Sequence, residues 1–151
     1  MKIEDVGIFI NHIAKHGMTE DCVFTYFEPL FQAINNDQEI ARRFATISNT
    51  HTQLLELFGR DEDSLELITA CIERWSDCSV ILSNSKLASI RIKTARKNHL
   101  IALQLINDSD PDVRIECARL WACCAEKLLN DSNPNIRLAA QKKLESEKKV
   151  I

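Results

Sequence analysis

The sequence has 151 residues, 45% of them hydrophobic and 27% charged, with only three Gly and three Pro. That balance supports a sizeable core without disulfides or metal, and it argues against a loop-rich sandwich and against long disordered linkers. The net charge of −3 is unevenly spread: residues 1–75 carry 6 Lys and Arg against 13 Asp and Glu, and residues 76–151 carry 13 against 9.

Taken in chain order, the opening MKIEDVGIFINHI places Glu4 and Asp5 before a short apolar stretch. A signal peptide would need a basic start, a longer apolar run and a small-residue cleavage site. No apolar run approaches the roughly 18 residues that cross a bilayer, so the expectation is a soluble, intracellular and cytoplasmic protein without membrane contact. The spacing of apolar residues predicts a helix over 2–16 stopped by Gly17, and another from about Glu20 with a break near Pro29. Further helices are expected near 38–47, 51–58, 64–74, 77–82, 87–97 and 99–106. Asp37 is placed to cap QEIARRFATI, with Ile40 and Phe44 turned toward the core. No segment sustains strand alternation, and the fold class expected is all-α.

The second half repeats every 23 residues, with segments beginning at Leu82, Leu105 and Leu128. In register, Asn84, Asn107 and Asn130 share a column, as do Ile90, Val113 and Ile136, then Arg91, Arg114 and Arg137. Small residues Thr94, Cys117 and Ala140 form another column, and basic Arg96, Arg119 and Lys142 another. One period earlier Leu67 and Cys71 still fit, although Ile68 takes the Arg position. Trp75 and Trp121 share a column too. Self-similarity at such a period is the signature of stacked helical units. In Asp110-Pro111 and Asn133-Pro134 a capping residue precedes Pro at the first helical position, where its missing N–H costs nothing. From there Val113, Cys117 and Leu120, and Ile136, Ala140 and Leu144, recur at helical spacing.

The strings DSDPDVRIECA and DSNPNIRLAA resemble the D-x-D-P-x-V-R-x-x-A turn and helix of HEAT-like repeats. The short period is similar to that of the leucine-rich variant (LRV) repeat, whose pattern NDQEIARRFATISNTHTQLLELFGRDED echoes more loosely. The match runs over about residues 34–145 and departs where the Arg column and the Pro are missing in the earlier units. The resemblance implies a short right-handed α-solenoid: capping helices over 1–36, repeat units over 37–145 and a tail over 146–151, all one domain. It does not imply a ligand, because one fold hosts many functions.

Candidates for chemistry are few. Cys22, Cys71, Cys78, Cys117, Cys123 and Cys124 form no C-x-x-C pair and read as free thiols acting as small apolar residues. Adjacent helical positions point about 100° apart, so Cys123 and Cys124 cannot face one site. His12 and His16, four apart on a predicted helix, can hold a metal only with a third ligand such as Glu20, and read instead as two polar residues on a solvated face. His51 and His99 lie beside turns, with no Ser or Cys tied to either by sequence. Some LRV proteins carry an iron–sulfur segment, which needs a cysteine cluster this sequence lacks. No glycine loop for phosphate is present. Neither catalytic residue, metal nor cofactor is therefore expected.

Two charged surfaces remain. Arg91, Arg114 and Arg137 are expected to bridge to aspartates of an adjacent turn, with Asp108, Asp110 and Asp131 available. Arg96, Arg119 and Lys142 have no obvious partner and are the alternative, phosphate-binding set. The acidic balance and the absence of aromatics among these cations argue against nucleic acid. Glu56, Asp61, Glu62, Asp63, Glu66 and Glu73 crowd into 18 positions of the acidic half. They are the candidate surface for a basic protein partner, since complementary fields speed association. The concrete reading is a non-catalytic inhibitor or immunity protein that neutralises a basic toxin such as a nuclease. The alternative is a scaffold or adaptor docking a peptide or subunit in a concave groove.

Overall fold

Every regular element among the residues described, 1–148 of the computed structural model, is helical. The chain divides into two compact units, Met1–Leu87 and Ala88–Ile151, and the charge asymmetry follows that division, the first unit being acidic and the second basic. None of the described helices is long and apolar enough to cross a membrane.

In the first unit α1 (Asp5–His16) buries Val6, Ile10 and Ile13 and ends at Gly17. There the backbone turns to φ 72°, ψ −175°, a region essentially restricted to glycine. Thr19 then caps α2 (Glu20–Cys22), its hydroxyl accepting the Cys22 N–H. The break expected at Pro29 does not occur. The chain widens into a π-helical turn over Val23–Phe27 and continues directly as α3 (Glu28–Asn36). Pro29 has no N–H to give the carbonyl four residues back, and its ring would clash there. The wider turn just upstream relieves both problems without ending the helix.

Asp37 caps α4 (Gln38–Ser48) by accepting the Glu39 and Ile40 N–H groups, and Ile40 and Phe44 are buried as their spacing requires. His51 caps α5 (Thr52–Phe58): its Nδ1 accepts the Leu54 N–H at 3.3 Å. That fixes the proton on Nε2, which donates to Asn11 Oδ1 at 3.1 Å. The unit closes with α6 (Glu62–Arg74) and α7 (Ser76–Leu82). Helix α6 packs on α3, and α4 packs on α1, α3 and α7. Phe44 fills the centre with Phe58 edge-on to it. Trp75, between α6 and α7, donates its indole N–H to the Ile34 carbonyl at 2.7 Å.

The second unit holds α8 (Ala88–Lys97), α9 (His99–Gln104), α10 (Pro111–Leu120), α11 (Ala122–Leu128) and α12 (Pro134–Lys148). The caps are those the sequence suggests: Asp110 accepts the Asp112 N–H at 2.8 Å and Asn133 the Asn135 N–H at 2.9 Å, each before its Pro. Helix α10 lies between α8 and α12, and α11 packs on α9, α10 and α12. The aliphatic column Ile90, Val113, Ile136 and the small column Thr94, Cys117, Ala140 are fully buried. A small side chain at each of the latter positions is what lets neighbouring helices approach. Leu120, at the helical spacing of Val113 and Cys117, lies in the last turn of α10 and is 37% exposed. Trp121 repeats the role of Trp75, donating to the Ala95 carbonyl at 2.7 Å.

Candidate functional site

The six acidic candidates divide once the helices are placed. Glu56 is exposed on α5. Asp61 has structural work: one carboxylate oxygen accepts the Asp63 and Ser64 N–H groups that begin α6, and the other accepts the Met18 N–H at 3.4 Å. Glu62 and Asp63 occupy the exposed first turn of α6, where negative charge meets the positive end of the helix dipole. Glu62, Glu66 and Glu73 stand four and seven residues apart and share one face. Glu66 and Glu73 line an open groove of about 370 Å³ with Thr69, Ala70 and Arg74 of α6 and with Phe31 and Asn35 of α3. Among the described residues none of Glu62, Asp63, Glu66 and Glu73 is in an ion pair. Arg74, the one cation lining the groove among the described residues, lies with its guanidinium 4.1 Å from the Trp75 ring centre.

In the second unit the Arg column behaves as a ladder. Arg91 reaches forward 17 residues and grips Asp108 with two parallel bonds, Nε to Oδ2 at 2.7 Å and Nη2 to Oδ1 at 3.0 Å. Arg114 does the same to Asp131 at 2.9 and 3.4 Å. Each aspartate also accepts the N–H two residues on, Asp110 and Asn133 respectively. Arg114 Nη1 reaches back to the Asp108 carbonyl at 2.8 Å, and Arg137 Nη1 reaches back to the Asp131 carbonyl at 2.7 Å. Burial alone would raise the Asp108 carboxyl. The Arg91 bond, the Asp110 N–H and the nearby guanidinium charges outweigh it and hold the group below its ordinary 3.8. Asp131 is lowered for the same reasons, through Asn133 and Arg114. Asp110 takes no part in these bridges, its side chain being committed to capping α10. The ladder is thus a brace between successive turns, and Ile68 breaks the column one period earlier because that position is fully buried in the first unit.

The expectation that Arg96 and Arg119 stand without partners is corrected. Glu116 pairs with both, at 3.2 Å to Arg96 and 3.0 Å to Arg119. Lys142 is exposed, and with Arg119 and Lys143 it borders an open groove of about 500 Å³ between α10 and α12. Lys143 itself pairs with Glu147 at 2.8 Å.

His12 and His16 are not simply solvated. Their rings lie 4.4 Å apart, and Tyr26 packs 4.1 Å from His12. With Thr19, Asp21, Cys22 and Thr25 they border a hollow of about 350 Å³, and Glu20 is not among its walls. Among the described residues no three His, Cys, Asp or Glu side chains converge as a metal site. The six cysteines are free, and all but Cys123 are buried. Burial pushes the Cys117 and Cys124 thiols up to about 12. At the equivalent place two periods earlier, burial raises Cys71, while a hydrogen bond from Cys71 lowers Cys78.

No family model matches this chain, and neither a curated protein nor a solved structure shows significant similarity to it.

Proposed function

We propose that the chain is a non-catalytic protein-binding module, a short right-handed α-solenoid of HEAT-like or LRV-like units, whose acidic face captures a basic protein partner in the cytoplasm. The most concrete form is an inhibitor or immunity protein that neutralises a toxin nuclease, whose active site is itself basic. One observation carries the reading: Glu62, Glu66 and Glu73 share an exposed face of α6 without ion pairing, and two of them flank a groove that also contains Phe31. Carboxylates left uncompensated on a helix cost stability through mutual repulsion, and a basic partner would offset that cost on binding. The groove supplies an apolar patch beside the charges, the combination that gives both fast encounter and slow release.

The test is a tagged full-length chain used as bait in an extract of its source organism, washed at moderate and high salt, with mass spectrometry of what remains. The expected result is one stoichiometric basic protein that binds the purified chain one-to-one and is lost from a Glu62→Lys, Glu66→Lys, Glu73→Lys variant. If the triple variant retains the same protein, or if no basic protein is held, the acidic face is not the binding surface.

A further inference from the structure

The second unit presents a surface that the acidic face does not account for. Four residues before each member of the basic column stands an aliphatic: Ile92 before Arg96, Ile115 before Arg119 and Leu138 before Lys142. A separation of four places each aliphatic and its cation on the same helix face. Ile92 and Ile115 are half-buried, Leu138 is 48% exposed, and Ile115, Arg119, Leu138 and Lys142 border one groove. Because α10 lies between α8 and α12, the two columns run side by side across three neighbouring helices.

Glu116 shapes this face. Its side chain is only 15% exposed, and it holds Arg96 and Arg119, which are 55% and 64% exposed. Such solvent-facing pairs add little stability. Their effect is to orient two guanidiniums around one carboxylate, leaving a net positive rim beside the aliphatics.

We infer that the α8–α10–α12 face docks an acidic amphipathic helix of a protein partner, with aliphatics of that helix on the Ile92–Ile115–Leu138 column and its carboxylates on Arg96, Arg119 and Lys142. Geometry sets the register. Packed helices lie roughly 8–10 Å apart, and seven residues of an α-helix advance about 10.5 Å. A helix laid across the three would therefore place every seventh residue on successive aliphatics. The residue after each, about 100° round its axis, would turn to the side where the cations stand one turn further along each host helix. A nucleic acid would match the charges but leave the aliphatic column against sugar and phosphate, and among the described residues no aromatic side chain lines the groove for its bases. This surface lies wholly within Ala88–Ile151 and stands independently of the acidic face of α6.

The experiment is fluorescence anisotropy with the full chain and a labelled synthetic helix of about 21 residues, carrying leucine every seventh position and glutamate directly after each. Its isomer, of equal composition but with leucines every fifth position, is the register control. The expected result is saturable binding of the heptad peptide, weakened about tenfold or more by Leu138→Asp and by Arg119→Glu with Lys142→Glu, and weaker by a similar factor for the isomer. Circular dichroism establishes that each variant keeps its helix content. Absence of binding, equal binding of the two peptides, or indifference to either variant overturns the proposal. A labelled single-stranded oligonucleotide is run in parallel. If it binds more tightly than the peptide, survives Leu138→Asp and is lost in the charge-reversed variant, the face is a phosphate surface and the proposal fails.

Discussion

Replacing Arg114 with Ala removes the side chain that ties one turn of the second unit to the next. The wild-type guanidinium is 16% exposed and the Asp131 carboxylate 7%. The change deletes the 2.9 Å bond to Asp131 and the 2.8 Å bond to the Asp108 carbonyl. Hydrogen bonds to charged groups contribute about 1.5–3 kcal/mol each, and stripping one partner from a fully buried pair costs about 3–5 kcal/mol. Asp131 keeps the Asn133 N–H and gains water in the space vacated, so the expected loss is about 2–3 kcal/mol. Arg119→Ala, on a side chain 64% exposed, should cost no more than about 0.5 kcal/mol.

Urea unfolding followed by far-ultraviolet circular dichroism measures both. With a slope of about 1–1.5 kcal/mol per molar, Arg114→Ala should lower the midpoint by roughly 2 M. Acid provides a second readout. Asp108 and Asp131 titrate in the folded chain below their ordinary 3.8. Their contribution is therefore complete above about pH 5 and is lost as pH falls through the depressed folded values. Arg114→Ala should flatten that loss. The bracing role is refuted if Arg114→Ala and Arg119→Ala are equally mild, or if the acid limb is unchanged.

Gly17→Ala should cost about 1–3 kcal/mol, all of it backbone strain, because a Cβ added there meets nothing within 4 Å; a thermal melt against Gly7→Ala, likewise open around its Cβ but helical, separates strain from packing. Trp121→Phe should lose about 1–2 kcal/mol by leaving the buried Ala95 carbonyl without the indole N–H, read by chemical denaturation. Native-state alkylation mapped by mass spectrometry should label Cys123 first, because it is the one cysteine not fully buried. Cys117 and Cys124, with thiols pushed up to about 12, should react only once the chain unfolds.

What could be read in advance was what repeats. The 23-residue period compares each position with its counterparts, so Ile90, Val113 and Ile136 were recognisable as core and Arg91, Arg114 and Arg137 as bridges to aspartates. Arg91 and Arg114 make those bridges, while Arg137 bonds the Asp131 and Ser132 carbonyls instead. Asp37, Asp110 and Asn133 were legible for a local reason, since caps act within three residues. Features that occur once carried no such signal. Glu116 shares its column with Lys93 and Ala139, so nothing in the pattern announced that it would pair with Arg96 and Arg119. The second task of Asp61 depends on Met18, 43 residues away. The turn upstream of Pro29 shows the limit of reading proline as punctuation: a helix can change pitch instead of stopping. Leu120 has the helical spacing of Val113 and Cys117 but sits in the last turn of α10, where it is 37% exposed.

The ladder also bears on how such a chain can change its length. Each aspartate serves its own turn through an N–H and the preceding helix through an arginine, so the Arg91–Asp108 and Arg114–Asp131 joints are built alike. Excising Leu105–Lys127 would join Gln104 to Leu128 and carry Asp131 into the place Asp108 had held. Arg91 would meet an identical carboxylate at an identical separation, and Ile136 would succeed Val113 behind it. A gene encoding this unit can thus lose or copy 23 codons without creating an unfamiliar seam, whereas a cut starting between Arg91 and Asp108 whose length is not a multiple of 23 would change the 17-residue separation of the pair.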